Sequence, residues 1–170
     1  MPGPLSVRTR VRGALVGLAL MTSAAGVTLS CGGDGLVDET VRDDRGSVIA
    51  PGRLAAIDLL VGDCFDGATA ESAQVEAVPC SSAHDSEVVG IVTLSGGEFP
   101  GESVVERTAR VRCIDVFEGY VGSHFLLSEL ELRFLAPTER TWERADDRDI
   151  SCVAHLADGR LFETVHDSGR

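Results

Sequence analysis

Alternation of apolar and polar positions marks a series of strands, interrupted once by a helical period. Residues 54–65 are largely apolar and run into Gly62-Asp63-Cys64-Phe65-Asp66-Gly67, where Gly and Asp favour tight reversals, so a strand entering a turn is predicted. Residues 73–80 alternate small or apolar side chains with Gln74 and Glu76, as a half-exposed strand does. Pro79 ends that strand, because it has no amide to give to a ladder. Residues 87–94, Glu-Val-Val-Gly-Ile-Val-Thr-Leu, are the strongest strand signal in the chain. Beyond Phe99-Pro100-Gly101 the period lengthens. Ser103-Val104-Val105-Glu106 has capping-box spacing, and Val105, Ala109, Cys113, Val116 and Tyr120 then fall on one helical stripe with Cys113 on its buried face. Residues 130–135 return to alternation before Pro137, and residues 150–156 and 160–165 predict a closing hairpin that turns at Asp158-Gly159.

Strands, then a helix, then strands predict an α+β fold: a small antiparallel sheet with one central helix packed on it. Three regions are expected, a leader over 1–30, a charged and Gly-rich tether over 31–52, and one domain over 53–170. The aromatic content is only 5%, so the core is built mainly of Val, Leu, Ile and Ala and gains less from burial than an aromatic-rich one. Disulfides offset that shortfall. Cys64, Cys80, Cys113 and Cys152 allow three pairings; Cys64 with Cys80 joins two neighbouring strand ends, and Cys113 with Cys152 pins the helix to the sheet.

The fifth cysteine has a different setting. Cys31 follows an apolar stretch at residues 13–21 that is preceded by Arg8, Arg10 and Arg12, the layout of an export signal. The segment Val27-Thr28-Leu29-Ser30-Cys31 resembles a bacterial lipobox, and thioether lipidation of Cys31 leaves an even set of four cysteines for an oxidising compartment. Two other outcomes stand beside it: cleavage after Ser23-Ala24-Ala25, which leaves Cys31 a free thiol, and an uncleaved anchor. The leading expectation is a palmitate-bearing lipoprotein on the extracytoplasmic face of the cell membrane.

The 15 basic residues, all arginine, face 27 acidic ones, for a net charge of -12. Removal of the leader takes away three arginines and no acid. A field of that sign repels phosphate, so nucleic acid is excluded as a partner bound through a basic patch.

A set of spaced motifs carries a resemblance: Val61-Gly62-Asp63-Cys64-Phe65, Val78-Pro79-Cys80 with His84-Asp85 and Glu87-Val88, Phe99-Pro100-Gly101, Cys113 with Tyr120, and Pro137-Thr138 leading to Trp142, Arg148 and Cys152. Together they resemble the septum formation domain family of actinobacterial envelope proteins over about residues 58–165. The chain departs from that pattern at Ala83 and at Asp147. The resemblance implies an exported or membrane-attached protein, an association with cell division and a partner in the envelope or division machinery. It implies no catalytic mechanism.

Candidate chemistry is sparse. His84-Asp85-Ser86-Glu87 sets an imidazole beside two carboxylates, a pattern that serves a general base or a cation site, although turn formation and loop orientation explain it better. Trp142, alone of its kind in a charged segment, is either a core plug or an exposed interaction anchor. His84, Asp85 and Trp142 are therefore the candidate binding residues. His124, His155 and His166 lack metal spacing, no nucleophile elbow or phosphate loop occurs, and neither a metal nor a cofactor is expected. The expected function is that of a non-enzymatic envelope lipoprotein, a protein- or wall-interaction module linked to septum formation. The alternative is a solute- or cation-binding lipoprotein that delivers a small ligand to a membrane partner.

Overall fold

Six strands form one antiparallel sheet in the order β3-β5-β4-β6-β8-β7, comprising β3 (Gly52–Ala55), β4 (Cys64–Asp66), β5 (Gln74–Val78), β6 (Ser86–Thr93), β7 (Leu130–Leu135) and β8 (Asp149–Leu156). The structure, a computed structural model, describes residues 40–69 and 73–170. The leader, the proposed cleavage sites and Cys31 lie outside the described residues. Ahead of the sheet, β1 (Val41–Arg42) and β2 (Val48–Ala50) pair with each other. Residues expected to belong to a featureless tether thus contain a hairpin. Its anchor is Arg42, whose guanidinium forms a fork on the buried Asp63 carboxylate at 2.5 and 2.6 Å. That pair holds the Arg42 pKa above its ordinary value, the hydrogen bond outweighing the opposing cost of burial.

The expected α+β class stands. Helix α1 (Glu102–Val121) covers one face of the sheet, and its buried stripe is Val105, Ala109, Cys113, Phe117 and Val121. The stripe advances by four residues at each step. Val116 and Tyr120, placed on it from sequence, flank the stripe and pack against its core from partly buried positions. With Val89, Val92, Ile150, Cys152 and Ala154 the helix face forms the larger core, while Phe65, Val75, Val88, Val153 and Leu135 form a second core on the opposite face. Each central strand therefore buries both its faces, and β6 and β8 read as near-continuous apolar runs.

Four local expectations are corrected. The Ser103–Glu106 capping box does not form: α1 starts at Glu102 behind Gly101, which has no side chain to cap with, and the Gly101 carbonyl accepts the Val104 and Val105 amides. The capping box belongs instead to Thr138 and Thr141, at the start of a second helix, α2 (Glu139–Ala145), so the single central helix has a short companion. Residues 54–65 are not one strand. Backbone turns separate β3 from β4, the second at Gly62, whose φ of 90° requires glycine. Finally, residues 160–165 add no strand to β8, because β6 and β7 already occupy both its edges. Leu161 makes an isolated bridge with His84 instead.

Both expected cysteine pairs are present. Cys64–Cys80 ties the start of β4 to the end of β5, and Cys113–Cys152 joins α1 to β8 through the larger core.

Candidate functional site

The chemistry concentrates where β6 begins, and strand alternation distributes it over both faces of the sheet. Ser86 and Val88 belong to the second core's face, and Glu87 to the face under α1. Glu87 heads a run of valines and is fully buried, which costs several kcal/mol for a carboxylate unless hydrogen bonds replace its water. They do. Tyr120 Oη and the Thr164 hydroxyl each donate to Oε1 at 2.6 Å, and the Val165 amide donates to Oε2 at 2.7 Å. One carboxylate thereby joins β6, the last turn of α1 and the C-terminal segment. Burial, and then the bond to Glu87, raise the Tyr120 pKa well above the ordinary phenol range. Gly62 faces the same phenol: a Cβ built on it would lie 3.5 Å from Tyr120 Oη.

Beside this knot lies the Cys64–Cys80 disulfide, whose two sulfurs and a Glu87 oxygen are within 4.8 Å of one another. Thiolates in that arrangement would suit a metal ion. The disulfide leaves no thiolate to ligate one.

On the opposite face, Arg133 of β7 donates to the Ser86 hydroxyl. Burial lowers the Arg133 pKa from its ordinary value, with Asp85 opposing that shift. The neighbouring rim carries an ion-pair cluster: Arg160 reaches Asp66 at 2.6 Å and Asp85 at 3.7 Å, and donates to the Ala83 carbonyl at 2.7 Å.

The four residues read together from sequence are thus separated by the fold. His84 is fully buried, with Nδ1 2.8 Å from the Ser82 carbonyl and its backbone bridged to Leu161. Asp85 belongs to the Arg160 cluster, and Ser86 to Arg133. None of these contacts joins His84 to Ser86, and the buried Nε2 of His84 has no hydrogen-bond partner among the described residues. Trp142 is 3% exposed, its indole N–H donates to the Gly97 carbonyl at 2.9 Å, and its ring meets Phe99 edge-on and Arg148 face-on. It is the core plug of the two readings, not the exposed anchor.

Tyr120, Thr164 and Arg133 carry polar roles that the sequence reading did not give them. The helical period puts Tyr120 on the apolar stripe, and alternation puts Thr164 in a strand that does not form. Only Glu87 offered a signal, a charge at the head of a strand too apolar to leave it in water.

A deeper cavity of about 210 Å³ lies between the β3 end and the β7–α2 connection, lined by Ala55, Leu59, Leu135, Ala136, Thr138 and Ser151 among others. The most exposed large apolar side chains among the described residues are elsewhere, at Leu126 and Leu127, 81% and 84% accessible on a 3-10 turn.

No curated protein and no solved structure matches the chain. The model of one family, described as septum formation, matches residues 52–152, a span that contains the whole sheet except the end of β8, both disulfides, Glu87 and Tyr120. The chain belongs to the septum formation family.

Proposed function

We propose that this septum formation domain is a non-enzymatic interaction module, held at the extracytoplasmic face of the membrane by a lipid on Cys31 and recruiting an envelope or division protein. The observation that carries the reading is the pair Leu126 and Leu127, adjacent leucines more than four-fifths exposed. Their turn is held rigid: the Phe125 amide donates to Glu118 at 3.1 Å, and the Ser128 amide to the Phe125 carbonyl at 3.2 Å. A backbone already fixed in the presenting conformation loses less entropy on docking, which is how a small surface anchors a protein partner. The two disulfides support an oxidising compartment, as does the leader. A non-catalytic reading draws support from Ser86, whose hydroxyl is engaged by Arg133, and from His84, whose Nδ1 is engaged by the Ser82 carbonyl.

The cavity between β3 and β7 favours the second reading, delivery of a small solute. Its volume of about 210 Å³ falls below the roughly 300–1,000 Å³ of ordinary small-molecule sites, and the larger hollow of about 530 Å³ beside Phe99 and Trp142 is lined chiefly by charged side chains where such sites are mostly apolar, which ranks that reading second.

The test is crosslinking in whole cells with the full chain and with a Leu126→Ser/Leu127→Ser variant. Loss of captured envelope partners in the variant, with unchanged membrane fractionation and an acylated Cys31 by mass spectrometry, is the expected result. Identical partners from both chains would remove the recruitment claim, and an unmodified Cys31 would remove the anchor.

A further inference from the structure

The two disulfides differ in a way that their shared structural role does not require. Cys113 and Cys152 are both fully buried within the larger core. In the other bridge Cys64 is fully buried, whereas Cys80 is partly exposed just past the end of β5. That bridge joins one partly exposed cysteine to one fully buried one, and a Glu87 carboxylate oxygen lies within 4.8 Å of both sulfurs. Exchange with an external thiol depends on access to the attacked sulfur and on how the departing sulfur is received. Access singles out this bond at Cys80, and access outweighs the poorer leaving ability of a buried Cys64 beside a carboxylate.

We propose that Cys64–Cys80 is a thiol–disulfide exchange site, attacked at Cys80 by a protein dithiol of the oxidoreductase class, and that Glu87 transmits its redox state to the C-terminal segment. The attacking thiolate forms a mixed disulfide with Cys80 Sγ. The Cys64–Cys80 bond breaks, its electron pair leaves on Cys64 Sγ, and that sulfur takes the proton the attacking thiol gave up. The second thiol of the dithiol then displaces Cys80, which leaves as a thiol while the reductant becomes a disulfide. Two electrons and two protons pass to the domain. The new Cys64 S–H stands beside Glu87 and competes there with Tyr120 and Thr164, both of which donate to Oε1. Weakening the Tyr120 bond frees the phenol, and weakening the Thr164 bond loosens the attachment of the C-terminal segment to β6. Meanwhile Cys113–Cys152 continues to hold α1 on the sheet, so the opened domain keeps its fold.

The chain contains a single tyrosine, so phenolate absorbance reports on Tyr120 alone. The purified full chain is exposed to dithiothreitol or to a thioredoxin, quenched by alkylation at intervals and mapped by mass spectrometry. Cys64 and Cys80 are expected to label at least about tenfold faster than Cys113 and Cys152, in keeping with the dependence of exchange on access. In the selectively reduced protein the phenolate should appear at lower pH than in the oxidised one. Simultaneous labelling of all four cysteines, or earlier labelling of Cys113 and Cys152, would overturn the exchange site. An unchanged phenolate onset would overturn the coupling through Glu87.

Discussion

Glu87 shows how much one side chain can decide. Its three donors come from α1, from the C-terminal segment's side chain and from that segment's backbone, so removing the acceptor strands all of them. Glu87→Ala is expected to cost about 3 kcal/mol or more, at roughly 1 to 3 kcal/mol for each buried donor left unmet, read from chemical denaturation. A gentler change isolates the pH dependence. Folding raises the Tyr120 pKa, so the folded state binds its phenol proton more tightly than the unfolded state, whose tyrosine titrates near 10. The corresponding stability is complete below about pH 10 and is lost as pH rises beyond it toward the folded-state pKa. Tyr120→Phe should flatten that alkaline loss while lowering stability at neutral pH by about 1 kcal/mol. An equally steep alkaline loss in Tyr120→Phe would place its origin elsewhere.

Among elements, the seam between α1 and β6 is closely packed at Gly90. A Cβ built on Gly90 would lie 2.8 Å from both Cβ and Cγ2 of Val116, so the helix approaches the strand as closely as the absence of a side chain permits. The pairing of β6 with β8 is irregular at the same place, between Val88 and Gly90. Gly90→Ala should therefore destabilise by about 1 to 3 kcal/mol through overpacking. Adding Val116→Ala should recover part of that loss, because the two sites share one contact and their effects are not additive. A double variant no more stable than Gly90→Ala would argue against the seam. Most strands here were legible because their alternation or apolar runs are local properties: β5, β6, β7 and β8 lie where the pattern placed them. The N-terminus of α1 was misread because capping depends on where the chain enters. Phe99-Pro100-Gly101 delivers a backbone carbonyl to the first amides, and Ser103 is already inside the helix. Helix α2, seven residues of charged and polar composition around Trp142, has too short a period to be seen without its partners.

At the scale of the whole molecule, two covalent ties supplement a core with few aromatics. In the chain-entropy account the bridge spanning 39 residues is worth about 4 kcal/mol and the one spanning 16 about 3. Replacing Cys113 and Cys152 by Ala should therefore lower stability more than replacing Cys64 and Cys80, as thermal unfolding of the oxidised variants would show; the reverse order would mean that native-state strain or residual structure outweighs loop length. The sequence by itself determined the α+β class, an even set of four domain cysteines and the family, since these follow from local periodicity, from parity and from spaced motifs; which of three pairings forms was settled by the structure. Tertiary structure alone decided which chemistry exists. Residues 84–87 are neighbours in the chain, yet the pleat and the bridge to Leu161 send them to different environments, while Glu87, Tyr120 and Thr164 are distant in sequence and meet only when α1 and the C-terminal segment close over β6. A buried charge finds its partners through packing, and packing is a property of the assembled layers rather than of any stretch of chain.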